Sequence, residues 1–113
     1  MHEMALCQGL MALIDEQRSR DPFTAVRRVQ LAVGALGHVD PRALEFAFSV
    51  HAHNTVAEHA ELEIVEVPGA AWCMNCGERV TLVARADACP QCEGHQLIVQ
   101  QGEELKLTEL EVV

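Results

Sequence analysis

Cys73-x2-Cys76 and Cys89-x2-Cys92 set four thiols in two short turns separated by twelve residues. Two residues between cysteines let a tight turn aim both sulfurs at one point, and Gly77 and Pro90 are residues such turns favour. Two such turns brought together present four thiolates, the tetrahedral sulfur set preferred by zinc. A closed four-sulfur site keeps no open coordination position, so its expected chemistry is structural rather than catalytic. Iron is the competing occupant, because rubredoxin-like electron carriers use similar paired turns. Those centres are enclosed by several aromatics, whereas only Trp72 lies nearby here. The spacing therefore predicts structural Zn(II) on Cys73, Cys76, Cys89 and Cys92, folding a module too small to hold itself together.

A second donor set leads the chain as Met1-His2-Glu3. A large residue at position 2 blocks removal of the start methionine, so the Met1 amine is expected to be free. That amine and the deprotonated amide nitrogen of His2 close a five-membered chelate ring. The same amide and His2 Nδ1 close a six-membered ring beside it. Three nitrogens then share a plane with one corner open. Displacing an amide proton takes an ion that gains strongly from square-planar nitrogen ligands, as Ni(II) and Cu(II) do and Zn(II) does not. The expected fourth donor is Glu3, by amide or carboxylate; Asp40 or an imidazole of His38 or His95 are the alternatives. Amide and imidazole must both lose protons, so such a site is easily emptied and suits handing a metal on.

The elements that must position these groups read as α+β. Leu6, Leu10, Leu13 and Ile14 recur at helical spacing, predicting a helix from Met4 to Arg18 or Ser19 that stops before Asp21–Pro22. "RRVQLAVGAL" alternates through Val29, Leu31 and Val33 as a half-buried strand, and "GALGHVDP" follows as a loop. Asp40 caps a second helix with Pro41 in its first turn; Leu44, Ala47, Phe48 and His51 share one side, and Asn54 is its expected end. "AELEIVEV" is a second strand, broken at Pro68–Gly69. "EELKLTELEVV" alternates through Leu105 and Leu107 and shifts phase at Leu110, where a bulge would restore the pattern. The expected architecture is two helices on a small three-stranded mixed or antiparallel sheet with an inserted zinc-ribbon-like module. Residues 1–69 and 102–113 would make the discontinuous α+β domain, and 70–101 the module.

Composition narrows the function classes. Eight Lys and Arg against seventeen Asp and Glu leave a formal charge of −9, which opposes nucleic acid and suits cations and basic proteins. The basic clusters Arg18-Ser19-Arg20 and Arg27–Arg28 read as solvating a helix end and a strand edge. No apolar run reaches membrane-spanning length, no signal-peptide pattern leads the chain, and paired cysteines without a disulfide setting point to the cytoplasm. Cys7 reads as a small buried hydrophobe, and His51, His53 and His59 as surface or core residues. The sequence holds no nucleophile–base set and no phosphate-binding loop, so an enzyme is not expected.

The combination is specific. "MHE" leading into the helical "MALCQGL", the strand–loop–helix "LAVGALGHVDPRALEFAF", "AWCMNCG" and "CPQC" closely resemble the hydrogenase nickel-incorporation family HypA/HybF, in order along nearly the whole chain. The resemblance implies a nickel metallochaperone for [NiFe]-hydrogenase maturation, with some relatives also serving urease. It implies Ni(II) at His2 with Glu3 important to the site, and structural Zn(II) at the four cysteines. The implied partners are a GTPase nickel metallochaperone and the hydrogenase large-subunit precursor. One departure is "CEGH" after the last cysteine, where many relatives carry a "CGS"-like turn; here the glycine, Gly94, sits one position later. The rival classes are a rubredoxin-like electron carrier and a zinc-ribbon protein-interaction module.

Overall fold

A computed structural model of the chain describes residues 2–113. The elements run α1 (Glu3–Arg20), β1 (Val26–Gly34), α2 (Pro41–Ala52), β2 (Glu61–Val67), β3 (Gly69–Cys73), β4 (Glu78–Leu82), β5 (Leu97–Gln101) and β6 (Leu105–Val112). They form two three-stranded sheets, ordered β2-β1-β6 and β4-β3-β5. In the first, Thr24 bonds Val113 and Gly34 bonds Glu104, so β1 and β6 run antiparallel. Arg28 meets Glu63 while Ala35 N–H donates to Val67, so β1 and β2 advance together with α2 as their crossover. The architecture is the expected α+β arrangement of two helices and small mixed and antiparallel sheets.

The chain divides into two compact units: Met1–Leu31, Val39–Ile64 and Leu107–Val113 in one, Ala32–His38 and Val65–Lys106 in the other. In the first unit α1 packs against α2. The Cys7 thiol donates to Leu44 O at 3.7 Å and the Asp40 N–H to Glu3 Oε2 at 3.2 Å, both pairs 37 residues apart. A constant offset means the two helices run parallel, with their N-termini side by side. The buried stripe of α1 is Cys7, Leu10, Met11 and Ile14 with Glu3, while Leu13 is half exposed. The stripe expected from Leu6 and Leu13 is thus rotated toward Cys7 and Met11, because α2 covers that side. Arg18 Nε, donating to Phe23 O, and the Asp21 N–H, donating to Gln17 O, close the helix end.

Arg28 also departs from expectation. It stands in the central strand, not at an edge, and pairs with Glu63 at 2.6 Å on β2 and with Glu109 at 3.2 Å and Glu111 at 3.4 Å on β6. Along β6 the half-buried positions are Leu105, Leu107 and Leu110, so the burial pattern shifts phase where the sequence does.

In the second unit β3 is central, paired antiparallel with both β4 and β5, and the β5 pairing slips between Ala70 and Ala71. Its core is small: Leu36, Ala71, Val80 and Leu82 with Cys73 and Cys89. Gly69 is obligatory here, since a Cβ on it would lie 2.6 Å from Leu82 O and 2.8 Å from the Leu36 side chain.

Candidate metal sites

Each cysteine pair sits in a knuckle built by the same two backbone devices. In the first, Gly77 N–H donates to Cys73 O at 2.8 Å, and Gly77 takes a left-handed φ of 68°. In the second, Glu93 N–H donates to Cys89 O at 2.8 Å, and Glu93 takes φ 62°. The one-position glycine shift in "CEGH" therefore leaves the turn intact. It forces glutamate into the conformation that glycine holds in the first knuckle, at a cost of about 1–2 kcal/mol.

The knuckles bring all four sulfurs together. Cys73 Sγ lies 3.7 Å from Cys92 Sγ and Cys76 Sγ 3.9 Å from Cys89 Sγ, with the four atoms all within 4.8 Å of one another. Four sulfurs at the zinc–thiolate bond length of ~2.3 Å on tetrahedron corners stand ~3.8 Å apart. The donor set and its spacing thus fit a tetrahedral ion. Electrostatics asks for one as well. Hydrogen bonds from the Asn75 side chain and the Gly94 N–H pull the Cys92 thiol down to about 6. Its hydrogen bond to Cys92, then burial and the other two sulfurs, push Cys76 up to about 12. One thiolate forms readily and the next forms against its charge, so a cation is needed to hold all of them ionised. Asn75 was not legible as a sulfur partner; its place inside the C-x2-C turn is the one local signal.

At the other end, His2 occupies the N-cap of α1 with helical angles, φ −84° and ψ −1°. Its carbonyl accepts the first helical bond, from Leu6 N–H at 3.0 Å, and its ring makes no capping bond. A helix leaves the amides of its first residues without an intrahelical acceptor. Both nitrogens that His2 would lend to an ion are therefore outside the helix ladder. Glu3 behaves differently: it is the buried charged side chain among the described residues, 4% exposed. Its Oε2 accepts from the Asp40 N–H, while the Asp40 carboxylate accepts from Arg42 N–H at 3.0 Å and caps α2. Asp40 reaches Glu3 by its backbone, with its side chain turned to its own helix. Met1, whose amine belongs to the expected chelate, lies outside the described residues, and His38 and His95 belong to the second unit. Cys7 is fully buried, with its thiol pushed up by burial and by Glu3, as a small hydrophobe should be.

Fold and thiolate cluster together define a small α+β metal-binding protein with a closed four-sulfur site. A model of the family described as hydrogenase/urease nickel incorporation metallochaperone, HypA, matches residues 1–112. The chain is 52% identical over 112 residues to the hydrogenase maturation factor HypA of Rhodopseudomonas palustris strain TIE-1, covering 99% of each. It is 49% identical over 112 residues to the HypA of Acidithiobacillus ferrooxidans strain ATCC 53993, again covering 99% of each. The solution structure of the Ni metallochaperone HypA from Helicobacter pylori superimposes with a TM-score of 0.72 at 26% identity, covering 100% of this chain and 98% of that one. The chain belongs to the HypA family of nickel-incorporation metallochaperones for hydrogenase maturation.

Proposed function

We propose that this chain carries Ni(II) on its leading residues and delivers it to the large-subunit precursor of a [NiFe]-hydrogenase, in the cytoplasm and together with a GTPase nickel metallochaperone. The observation that carries the reading is His2 at the head of α1, its ring and amide outside the helix ladder, beside a Glu3 tied to Asp40. Family membership supplies the cargo, nickel, and the process, hydrogenase maturation. In this reading His2 and the Met1 amine supply the planar nitrogens. Glu3 completes or steadies the set, and Asp40 is the alternative fourth donor. The formal charge of −9 opposes nucleic acid as a partner, and no helix among the described residues is long and apolar enough to cross a membrane.

Cys73, Cys76, Cys89 and Cys92 would hold zinc, which supplies a permanent cross-link between the two knuckles. Trp72 supports zinc over a rubredoxin-like iron centre: it stands on the outer face of β3, 40% exposed, rather than enclosing the sulfurs. In this reading hydrolysis of GTP belongs to the partner. The test is a nickel titration of untagged protein followed by the absorption of planar Ni(II). The native chain develops that spectrum, and His2→Ala or a chain extended at its N-terminus does not, while thiolate-bound metal and helix content stay unchanged. A planar spectrum undiminished in His2→Ala would sink the assignment.

A further inference from the structure

Beyond α2 the chain folds into a braced turn whose polar groups the nickel reading does not use. Asn54 takes a left-handed φ of 60°, Thr55 Oγ1 donates to Ala52 O at 2.6 Å, and Ala57 N–H donates to Thr55 Oγ1 at 3.1 Å. Ala57, fully buried, anchors the turn. The turn gathers residues that look scattered in the sequence around a single carboxylate. Glu58 Oε2 accepts from Asn54 N–H at 2.7 Å and lies 3.0 Å from His53 Nδ1. Glu58 Oε1 lies 3.5 Å from His59 Nε2. The Asn54 N–H, and then the two histidines, hold the Glu58 carboxyl below its usual range, so it is ionised.

These separations are informative. Two nitrogen or oxygen ligands at ~2.1 Å from one ion stand about 3.0 Å apart when cis in an octahedron and about 3.4 Å apart in a tetrahedron. The His53 contact at 3.0 Å matches the first of these and the His59 contact at 3.5 Å lies close to the second, each on its own oxygen of Glu58. The carboxylate is fixed by a backbone bond, while the His53 and His59 side chains are 70% and 92% exposed and can turn without breaking any packing. The rings now sit on opposite oxygens, so sharing an ion takes one ring rotation, which the near-complete exposure of His59 permits.

We propose that His53, Glu58 and His59 form a second metal site, open to solvent, for a late first-row divalent cation. Two imidazoles and one carboxylate are borderline donors that suit Ni(II), Cu(II) and Zn(II) over Mg(II) or Ca(II). Water fills the remaining positions, so nickel bound here is six-coordinate and paramagnetic. A planar amide-bound nickel is diamagnetic, and that difference separates this site from the N-terminal one whatever becomes of the N-terminal assignment.

The experiment uses full-length His2→Ala protein with its thiolate site loaded, titrated with nickel chloride. Imidazole NMR signals of His53 and His59 should broaden at lower nickel than those of His38 and His95. Calorimetry on the same background should show nickel binding weakened roughly tenfold or more in His53→Ala/His59→Ala and in Glu58→Gln. Circular dichroism verifies that these surface variants stay folded. Nickel binding unchanged in the double variant, or broadening no earlier at His53 and His59 than at His38 and His95, overturns the proposal.

Discussion

Removing the metal we assign to the four thiolates should unfold one unit of the molecule and spare the other. The second unit buries Val33, Leu36, Val80 and Leu82 as large aliphatic side chains, beside Ala70, Ala71 and two of the cysteines. At about 1.5–3 kcal/mol for each fully buried side chain, those four contribute about 6–12 kcal/mol. A structural zinc contributes about 10–16 kcal/mol near neutral pH, as much as that core or more. The first unit is differently supplied. Leu10, Met11, Ile14, Phe23, Val26, Val29, Leu31, Leu44 and Phe48 are all buried in it. On the same scale they contribute about 14–27 kcal/mol, so this unit does not depend on the metal.

Hydrogen exchange read by mass spectrometry, before and after chelation under reducing conditions, measures the two units separately. Peptides covering Gly69–Cys73 and Leu97–Gln101 should lose their protection, while those covering α1 and α2 keep theirs. Cys73→Ser, which removes a buried ligand without chelator, should give the same pattern. Retained protection across β3 in metal-free protein would refute the reasoning, since the apolar core would then suffice alone. Simultaneous loss in α1 would refute it too, because the first unit's core would have been overvalued.

Three further outcomes follow from single contacts. Glu93→Gly relieves a left-handed glutamate in the second knuckle and should stabilise the second unit by about 1 kcal/mol in chemical denaturation, with metal stoichiometry unchanged. The Glu63 carboxyl is lowered from 4.5, first by its hydrogen bond from Gln30 and then by Arg28, so the stability it contributes is present above 4.5 and is lost as pH falls through the lowered value; Glu63→Gln should flatten that acid limb of the thermal melting profile. Asp40→Asn keeps a side-chain cap on α2 but removes a charge beside Glu3; melting should barely move, while nickel affinity by calorimetry falls about two- to five-fold, the equivalent of 0.3–1 kcal/mol.

The site was legible where chemistry is carried by type and spacing, and the fold where periodicity is local. Cys73, Cys76, Cys89 and Cys92 converge because a C-x2-C turn aims its sulfurs whatever surrounds it, and Asp40–Pro41 announces α2 because capping is a property of one turn. Failures came where the answer depends on a neighbour distant in sequence. Two apolar stripes on α1 are equally plausible as text, and only the packing of α2 chooses Cys7 and Met11 over Leu6 and Leu13. Strand order is not written in any strand, so Arg28 read as an edge residue although carboxylates from both flanking strands meet it. Glu93 in a glycine's conformation is the opposite case, a local rule overridden because a cysteine knuckle fixes the backbone.

Parallel packing of α1 and α2 also bears on why nickel at the leading residues would be held loosely. Two helix N-termini lie side by side, each equivalent to roughly half a positive charge, an unfriendly place for a divalent cation. Glu3 and Asp40 stand there and offset those charges, but Asp40 spends its carboxylate on the Arg42 N–H and Glu3 accepts from the Asp40 N–H. The two carboxylates exceed the two half-charges by only about one unit, so the rest of the charge that balances a divalent ion would come from the amide that gives up its proton. Binding is then tied to proton release, and any partner that returns a proton to that amide frees the metal. The thiolate knuckles have the reverse character. Their four sulfurs would close the coordination shell and two of the cysteines are buried, so an ion held there would have no open position from which to be handed on. On the proposed function, one chain would thus pair an open grip that a returning proton loosens with a closed one, which is the division of labour a carrier of nickel requires.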